Sequence, residues 1–163
     1  MRNLSYKYLR QSIVTLNPGY RKHPNLKSKP PPMQSQILKV NEADEYYFDE
    51  GCFILELSNS PADPGVSIAR ARVKPGVTTK LHRLTGVVER YIILAGTGKV
   101  DVAGLEPQQV SAGDVVIIPS LCSQRITNTG TEDLVFLAIC TPRFTEEVYE
   151  NMDYFSSKLP CKL

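Results

Sequence analysis

The chain has 163 residues, of which 42% are hydrophobic, and a formal net charge of +2 at pH 7. This length suits one ordinary domain with a single core. No apolar run approaches the roughly 20 residues that a membrane-spanning helix requires, so the sequence predicts a soluble protein that makes no membrane contact.

Basic residues are concentrated at the N-terminus, where the first 41 residues contain eight Lys or Arg, no acidic residue and five of the 12 prolines. A stretch of this composition buries too little apolar surface to offset the entropy lost on ordering. We therefore divide the chain into a basic, proline-rich extension (residues 1–35) and a folded domain (residues 36–163). The alternatives are that the extension contacts nucleic acid or anionic lipid, or that it is a transit peptide. Nucleic acid is disfavoured because aromatic residues do not interleave with the basic ones in an RNA-binding pattern.

The domain is a series of short runs rich in Val and Ile, separated by Gly, Pro, Asn and Asp. The runs are Cys52–Leu57, Val66–Val73, Val77–His82, Val88–Ala95, Lys99–Val102, Gln109–Val110, Val115–Ile118, Gln124–Asn128 and Leu134–Cys140. Such spacing predicts an all-β sandwich or barrel. Gly96-Thr97-Gly98 is interpreted as a hairpin turn between two of these strands.

Only the C-terminus has a helical pattern. Thr145 is a predicted N-cap, and Glu146 and Glu147 follow in the first turn, where the helix dipole favours acidic side chains. We expect one short C-terminal helix.

The four cysteines lack the spacing of a zinc site, since they contain no Cys-x-x-Cys pair and neither histidine lies near them. Cys52 and Cys140 lie within apolar runs, as is typical of small core residues. Cys122 is also interpreted as a packing residue. No apolar signal-peptide core is found, so we expect free thiols and a cytoplasmic location. The cysteines are Cys52, Cys122, Cys140 and Cys161.

Two gapped motifs contain most of the polar candidates. The first is Gly76-x5-His82-x-Leu84-x4-Glu89-x6-Gly96, and the second is Gly113-x5-Pro119-x-Leu121-x2-Gln124-x3-Asn128. Together they resemble the two signature motifs of the cupin superfamily, G-x5-H-x-H-x3,4-E-x6-G and G-x5-P-x-G-x2-H-x3-N. The resemblance covers about residues 66–140. It implies a double-stranded β-helix, a jelly-roll barrel that commonly forms a homodimer.

The resemblance also implies a metal site, built from two His and a Glu of the first motif and a His of the second. His82 and Glu89 match two of these positions, and Leu84 and Gln124 occupy the other two. The set His82, Glu89 and Gln124 favours Mn²⁺, Fe²⁺ or Mg²⁺ over zinc. The alternative is a metal-free cluster in which the same three residues hydrogen-bond to one another.

Three further residues are candidates for contact with a substrate. Tyr91 lies two residues after Glu89 and therefore on the same strand face. It is either a pocket wall that orients substrate or a core tyrosine. Arg70 and Arg72 share one face of a strand and either bind a carboxylate or phosphate or form a solvated outer face.

These observations leave two functions open. The first is an enzyme, a metal-dependent dioxygenase or a sugar or sugar-phosphate isomerase acting on a compact oxygenated acid. In that case His82 and Glu89 hold the metal or act as acid and base, and Tyr91 orients the substrate. The second is a metal-free barrel that binds or senses a small polar ligand. The two missing histidines favour the second function.

Overall fold

The structure, a computed structural model, describes residues 33–153. Single turns of 3-10 helix lie at Glu42–Asp44 and Glu146–Val148, and all other regular structure is β. The strands are β1 (Tyr46–Phe48), β2 (Cys52–Ser58), β3 (Ser67–Val73), β4 (His82–Leu84), β5 (Val88–Ala95), β6 (Thr97–Val102), β7 (Gln108–Ser111), β8 (Val115–Ile118), β9 (Gln124–Asn128), β10 (Leu134–Thr141) and β11 (Tyr149–Asn151).

The strands form two antiparallel sheets. One sheet has six strands in the order β1-β2-β3-β10-β5-β8, and the other has five in the order β11-β4-β9-β6-β7. Strands that are adjacent in sequence often lie in different sheets, as β5 and β6 do. This two-sheet arrangement confirms the predicted all-β double-stranded β-helix.

Alternation along the strands explains how the core forms. In β5, Glu89, Tyr91 and Ile93 are buried, whereas Arg90 and Ile92 point to the other face and are half-buried. The same period of two places Val116 and Ile118 of β8 inside and leaves Val115 and Ile117 exposed. Inward side chains from both sheets pack into one continuous core.

The Gly96–Gly98 segment is not a hairpin, because β5 and β6 do not pair with each other. It is a corner at which the chain crosses from the six-stranded to the five-stranded sheet. Gly96 has φ +80°, and a Cβ at this position would lie 2.6 Å from the carbonyl oxygen of Asp133. A Cβ at Gly98 would lie 2.7 Å from Cδ2 of Leu134. The corner needs glycine because the backbone at Asp133 and Leu134 lies against Gly96, and the Leu134 side chain and the Thr127 carbonyl lie against Gly98.

Two predicted elements differ from those observed. The run Val77–His82 is not a strand over most of its length. β4 starts only at His82, and Thr78 forms a single bridge to Thr127. At the predicted C-terminal helix, Thr145 is the N-cap of the 3-10 turn Glu146–Val148, which leads directly into β11. The prediction of an N-terminal extension concerns residues that lie mostly outside the described range.

The cysteines behave partly as predicted. Cys52 and Cys140 are buried free thiols. Cys122 is buried but forms a disulfide bond, so the prediction of a free thiol is wrong for this residue.

Within residues 33–153, no helix has the length and apolarity needed to cross a bilayer.

Candidate functional site

Three polar side chains predicted to converge do meet inside the barrel. His82 begins β4 and Gln124 begins β9, and the two are direct partners in the antiparallel ladder. Glu89 comes from β5 in the opposite sheet. All three are buried, with exposed fractions of 2%, 0% and 7% for His82, Gln124 and Glu89. The cluster therefore joins the two sheets across the barrel interior.

Gln124 is the centre of this hydrogen-bonded cluster. Its Nε2 donates to Oε2 of Glu89 and to Nε2 of His82, the latter at 3.2 Å. Nδ1 of His82 lies 3.0 Å from the carbonyl oxygen of Lys80, so the ring carries its proton on Nδ1 and accepts at Nε2. The His82 ring also stacks on Tyr149, with the ring centroids 5.0 Å apart. These contacts fix both the tautomer and the orientation of the imidazole.

A fourth residue, Glu50, was not predicted to belong to the site. It lies in the turn between β1 and β2, and its Oε1 is 3.5 Å from Nδ1 of His82. Its backbone carbonyl accepts a 2.7 Å hydrogen bond from the Lys80 amide, which ties this turn to the segment before β4. The acidic stretch at Glu42–Glu50 was the only sequence signal for this residue. Nothing in the spacing connects Glu50 to His82, because they meet through tertiary packing.

Glu50 and Glu89 face one small cavity of about 70 Å³. Its walls are otherwise apolar, aromatic or weakly polar, apart from Glu56 on β2. The lining residues are Tyr46, Phe48, Glu50, Ile54, Glu56, Glu89, Ala138, Cys140 and Phe144. No Lys, Arg or His belongs to this described lining, so the cavity is acidic in character.

A larger vestibule of about 430 Å³ shares Tyr46, Phe48, Glu56 and Phe144 with the inner cavity. Arg143 lies in this vestibule, and its Nη1 donates to Oδ1 of Asn59 at 2.7 Å. The vestibule therefore adjoins the inner cavity at these four residues.

Burial perturbs the ionisable groups of the site. Desolvation raises the pKa of Glu50 to about 8 and that of Glu89 to about 7. For Glu89, the neighbouring His82 and the hydrogen bond from Gln124 oppose this rise in pKa. Burial lowers the pKa of His82, which keeps the imidazole neutral. The cavity therefore holds two carboxyl groups that take up and release protons near neutral pH.

The residues present do not fit the metal ion that the motifs imply. Nε2 of Gln124 is an amide nitrogen, which donates hydrogen bonds and does not ligate metals. It hydrogen-bonds to the His82 imidazole and to the Glu89 carboxylate, the two groups that would be the metal ligands. Leu84, at the missing histidine position, is buried with Val87 and Cys140 in an apolar cluster. Among residues 33–153, no group of three or more His, Cys, Asp or Glu side chains is arranged to hold a metal ion. The observed geometry is that of the hydrogen-bonded alternative.

The other candidates lie away from the cavity. Tyr91 is buried in the main core, where its ring centroid is 4.4 Å from that of Phe136, and it is not among the cavity-lining residues. Arg70 and Arg72 lie on the outer face of β3, where Arg70 pairs with Glu42 and Arg72 with Glu45 and Asp133. The guanidinium of Arg72 also lies over the Phe53 ring, 4.4 Å from its centroid. The structure thus brings neither arginine to the site, and their predicted role in substrate binding is not carried forward.

The fold and the two motifs define this chain as a member of the cupin superfamily. The cupin domain family model matches residues 69–140, which includes His82, Glu89 and Gln124. An uncharacterized protein of Methanocaldococcus jannaschii is 32% identical over 110 residues, covering 66% of this chain and 87% of that protein.

Two further similarities are to proteins of Thermotoga maritima. The oxalate-binding protein of this organism is 41% identical over 71 residues, covering 44% of this chain. The match spans 58% of that relative, a little over half its length. The crystal structure of a predicted oxalate decarboxylase superposes with a TM-score of 0.59 at 28% identity, covering 66% of this chain and 99% of that one.

Proposed function

We propose that this cupin binds a small organic molecule in the cavity between Glu50 and Glu89, through hydrogen bonds and without a metal ion. The observation that carries the proposal is that two largely buried carboxyl groups from different parts of the fold line one cavity whose other walls are mostly apolar or aromatic. Burying a carboxyl group has a free-energy cost that a purely structural residue at this position would avoid.

The charge of the cavity selects among ligands. A dianion such as oxalate would meet three carboxyl groups, those of Glu50, Glu56 and Glu89, and no cationic side chain in the described lining. In a metal-free pocket this repulsion is strong, because the local dielectric constant is low. The proposed ligand is therefore a neutral or cationic molecule that donates hydrogen bonds, such as a polyol or a sugar-like compound.

The volume limits how much of the ligand enters. A water molecule requires roughly 10–15 Å³ of cavity volume. The inner cavity, of about 70 Å³, therefore holds about five groups of that size. A larger ligand extends into the vestibule, past the rings of Tyr46, Phe48 and Phe144. The similarity to an oxalate-binding relative supports small-molecule binding, but the lining residues favour a different ligand.

The test is a ligand screen on the full chain after treatment with EDTA, using monosaccharides, polyols, short amines and oxalate at pH 8. We expect one of the neutral or cationic compounds to raise the melting temperature, and E50Q and E89Q to weaken its binding. E106Q removes an exposed carboxylate remote from the cavity and serves as the matched control. Binding that appears only after Mn²⁺ is added, or a preference for oxalate, contradicts the proposal.

A second candidate function is proton-transfer catalysis, which the acid pair favours. A carboxyl group with a pKa near the working pH is an effective general acid or base. In an isomerisation, one glutamate carboxylate removes the proton next to a substrate carbonyl while the other glutamic acid protonates the carbonyl oxygen. The resulting enediol then takes a proton at the former carbonyl carbon from the first glutamic acid while its neighbouring hydroxyl gives a proton to the second glutamate, which completes a reaction that needs no oxidant. The test is deuterium incorporation from D₂O into any ligand found in the screen, with no incorporation for E89Q.

A further inference from the structure

The inner cavity contains an excess of hydrogen-bond acceptors. Oε2 of Glu89 accepts from Gln124, and its Oε1 receives only the long, weak contact of the Cys140 thiol at 3.8 Å. Glu56 of β2 adds another carboxyl group to the lining. Glu50 contributes two more carboxyl oxygens to the same cavity. A ligand that satisfies these groups must bring several donors and few acceptors.

The aromatic walls of the cavity also favour one class of ligand. Tyr46, Phe48 and Phe144 line both the inner cavity and the vestibule. Aromatic faces attract organic cations and pack well against short alkyl chains. The one arginine of the vestibule, Arg143, is anchored to Asn59 and is not part of the inner lining. No basic group of the described lining therefore competes with a cation inside the cavity.

We propose that the ligand of this cavity is a short primary amine, whose ammonium group binds between Glu50 and Glu89 and whose alkyl chain lies along the aromatic walls. An ammonium group carries three donors and no acceptor, so it complements the acceptor excess. It also neutralises buried carboxylates that have no Lys or Arg partner in the described lining. This inference rests on the proposed function and specifies its ligand class.

The experiment compares three probes of matched size with the full chain, namely n-butylamine, n-butanol and butyrate, by isothermal titration calorimetry at pH 8. We expect the amine to bind at least about tenfold more tightly than the alcohol, since one charge-assisted hydrogen bond accounts for this ratio. Butyrate should not bind. E50Q and E89Q should each weaken amine binding by about tenfold or more, with folding checked by circular dichroism, and E106Q should leave it unchanged.

The possible outcomes separate this inference from the function on which it rests. If n-butanol or a polyol binds as tightly as the amine and depends on Glu50, the amine assignment fails and the metal-free binding function stands. If the amine binds equally well to E50Q, E89Q and the unmodified chain, its site is elsewhere and the inference fails. If no compound of any class binds in the cavity, both the inference and the proposed function fail.

Discussion

Oε1 of Glu50 lies 3.5 Å from Nδ1 of His82, although 32 positions separate the two residues in sequence. The contact places a carboxyl group from an edge turn against the buried cluster that the cupin motifs supply. It converts a single buried acid, Glu89, into a pair that faces one cavity. The binding proposal depends on this pair.

The raised pKa of Glu50 predicts that stability falls as the pH rises. A carboxyl group whose pKa is higher in the folded than in the unfolded state makes the folded state less stable at pH values above the unfolded pKa. With a folded pKa of about 8, against an ordinary value of 4.5, Glu50 should cost about 1 kcal/mol between pH 7 and pH 9. Below about pH 7 the lowered pKa of His82 acts with the opposite sign, and towards pH 9 the raised pKa of the buried thiols Cys52 and Cys140 adds to the loss, so the comparison with E50Q identifies the share of Glu50.

We expect the free energy of unfolding of E50Q to fall less steeply with pH than that of the unmodified protein, as measured by urea unfolding at pH 7, 8 and 9. E106Q, at an exposed site, should keep the slope of the unmodified protein. An identical slope in E50Q would show that Glu50 titrates normally in the folded state.

Removing the central amide should raise the pKa of Glu89. The Gln124 hydrogen bond stabilises the ionised carboxylate and so holds the pKa of Glu89 lower than burial alone would. In Q124L this donor is lost, and we expect the pKa of Glu89 to rise above 7, with a stability loss on the order of 1–3 kcal/mol. The measurement is an NMR titration of the Glu89 side-chain carboxyl carbon. An unchanged or lower pKa would mean that Gln124 does not donate to this carboxylate in solution.

Restoring the two histidines of the cupin motif should raise the affinity for a metal ion. We expect the L84H/Q124H variant to bind Mn²⁺ at least about 100-fold more tightly than the unmodified protein, since each added imidazole is a direct ligand. Metal content after dialysis, measured by plasma mass spectrometry on untagged protein, checks this. Stoichiometric Mn or Fe in the unmodified protein that disappears in H82A would overturn the metal-free interpretation.

The corner between the sheets should tolerate no side chain. In G96A the new Cβ would lie 2.6 Å from a backbone oxygen, and the residue must also keep φ near +80°. We expect a loss of more than about 2 kcal/mol of unfolding free energy.

G104A is the matched control, because Gly104 has φ +88° but a Cβ added there would meet nothing within 4 Å. We expect G104A to lose only about 1 kcal/mol of unfolding free energy, which is the cost of the left-handed backbone conformation for a residue with a Cβ. Equal losses, measured by chemical denaturation, would indicate that the clash with β10 is relieved by a small backbone shift.

The sequence by itself was sufficient for the fold class and for three of the four polar residues of the site. Short runs rich in Val and Ile between turn residues gave the bounds of β5, β8 and β9, because β-branched side chains favour strands and turn residues interrupt them. The resemblance of the two motifs to the cupin signatures predicted that His82, Glu89 and Gln124 lie in one site, and the structure places them in hydrogen-bond contact.

Only the tertiary structure decided the remaining features. It showed that Arg70 and Arg72 pair with acidic residues on the outer face, because strand alternation does not reveal which face is covered. It showed that Gly96–Gly98 is a corner between sheets, since turn residues alone do not reveal which strands pair. It brought Glu50 to the cavity through a contact between an edge turn and a distant strand. Contacts of that kind depend on how the sheets close on each other, and no local pattern of residues records them.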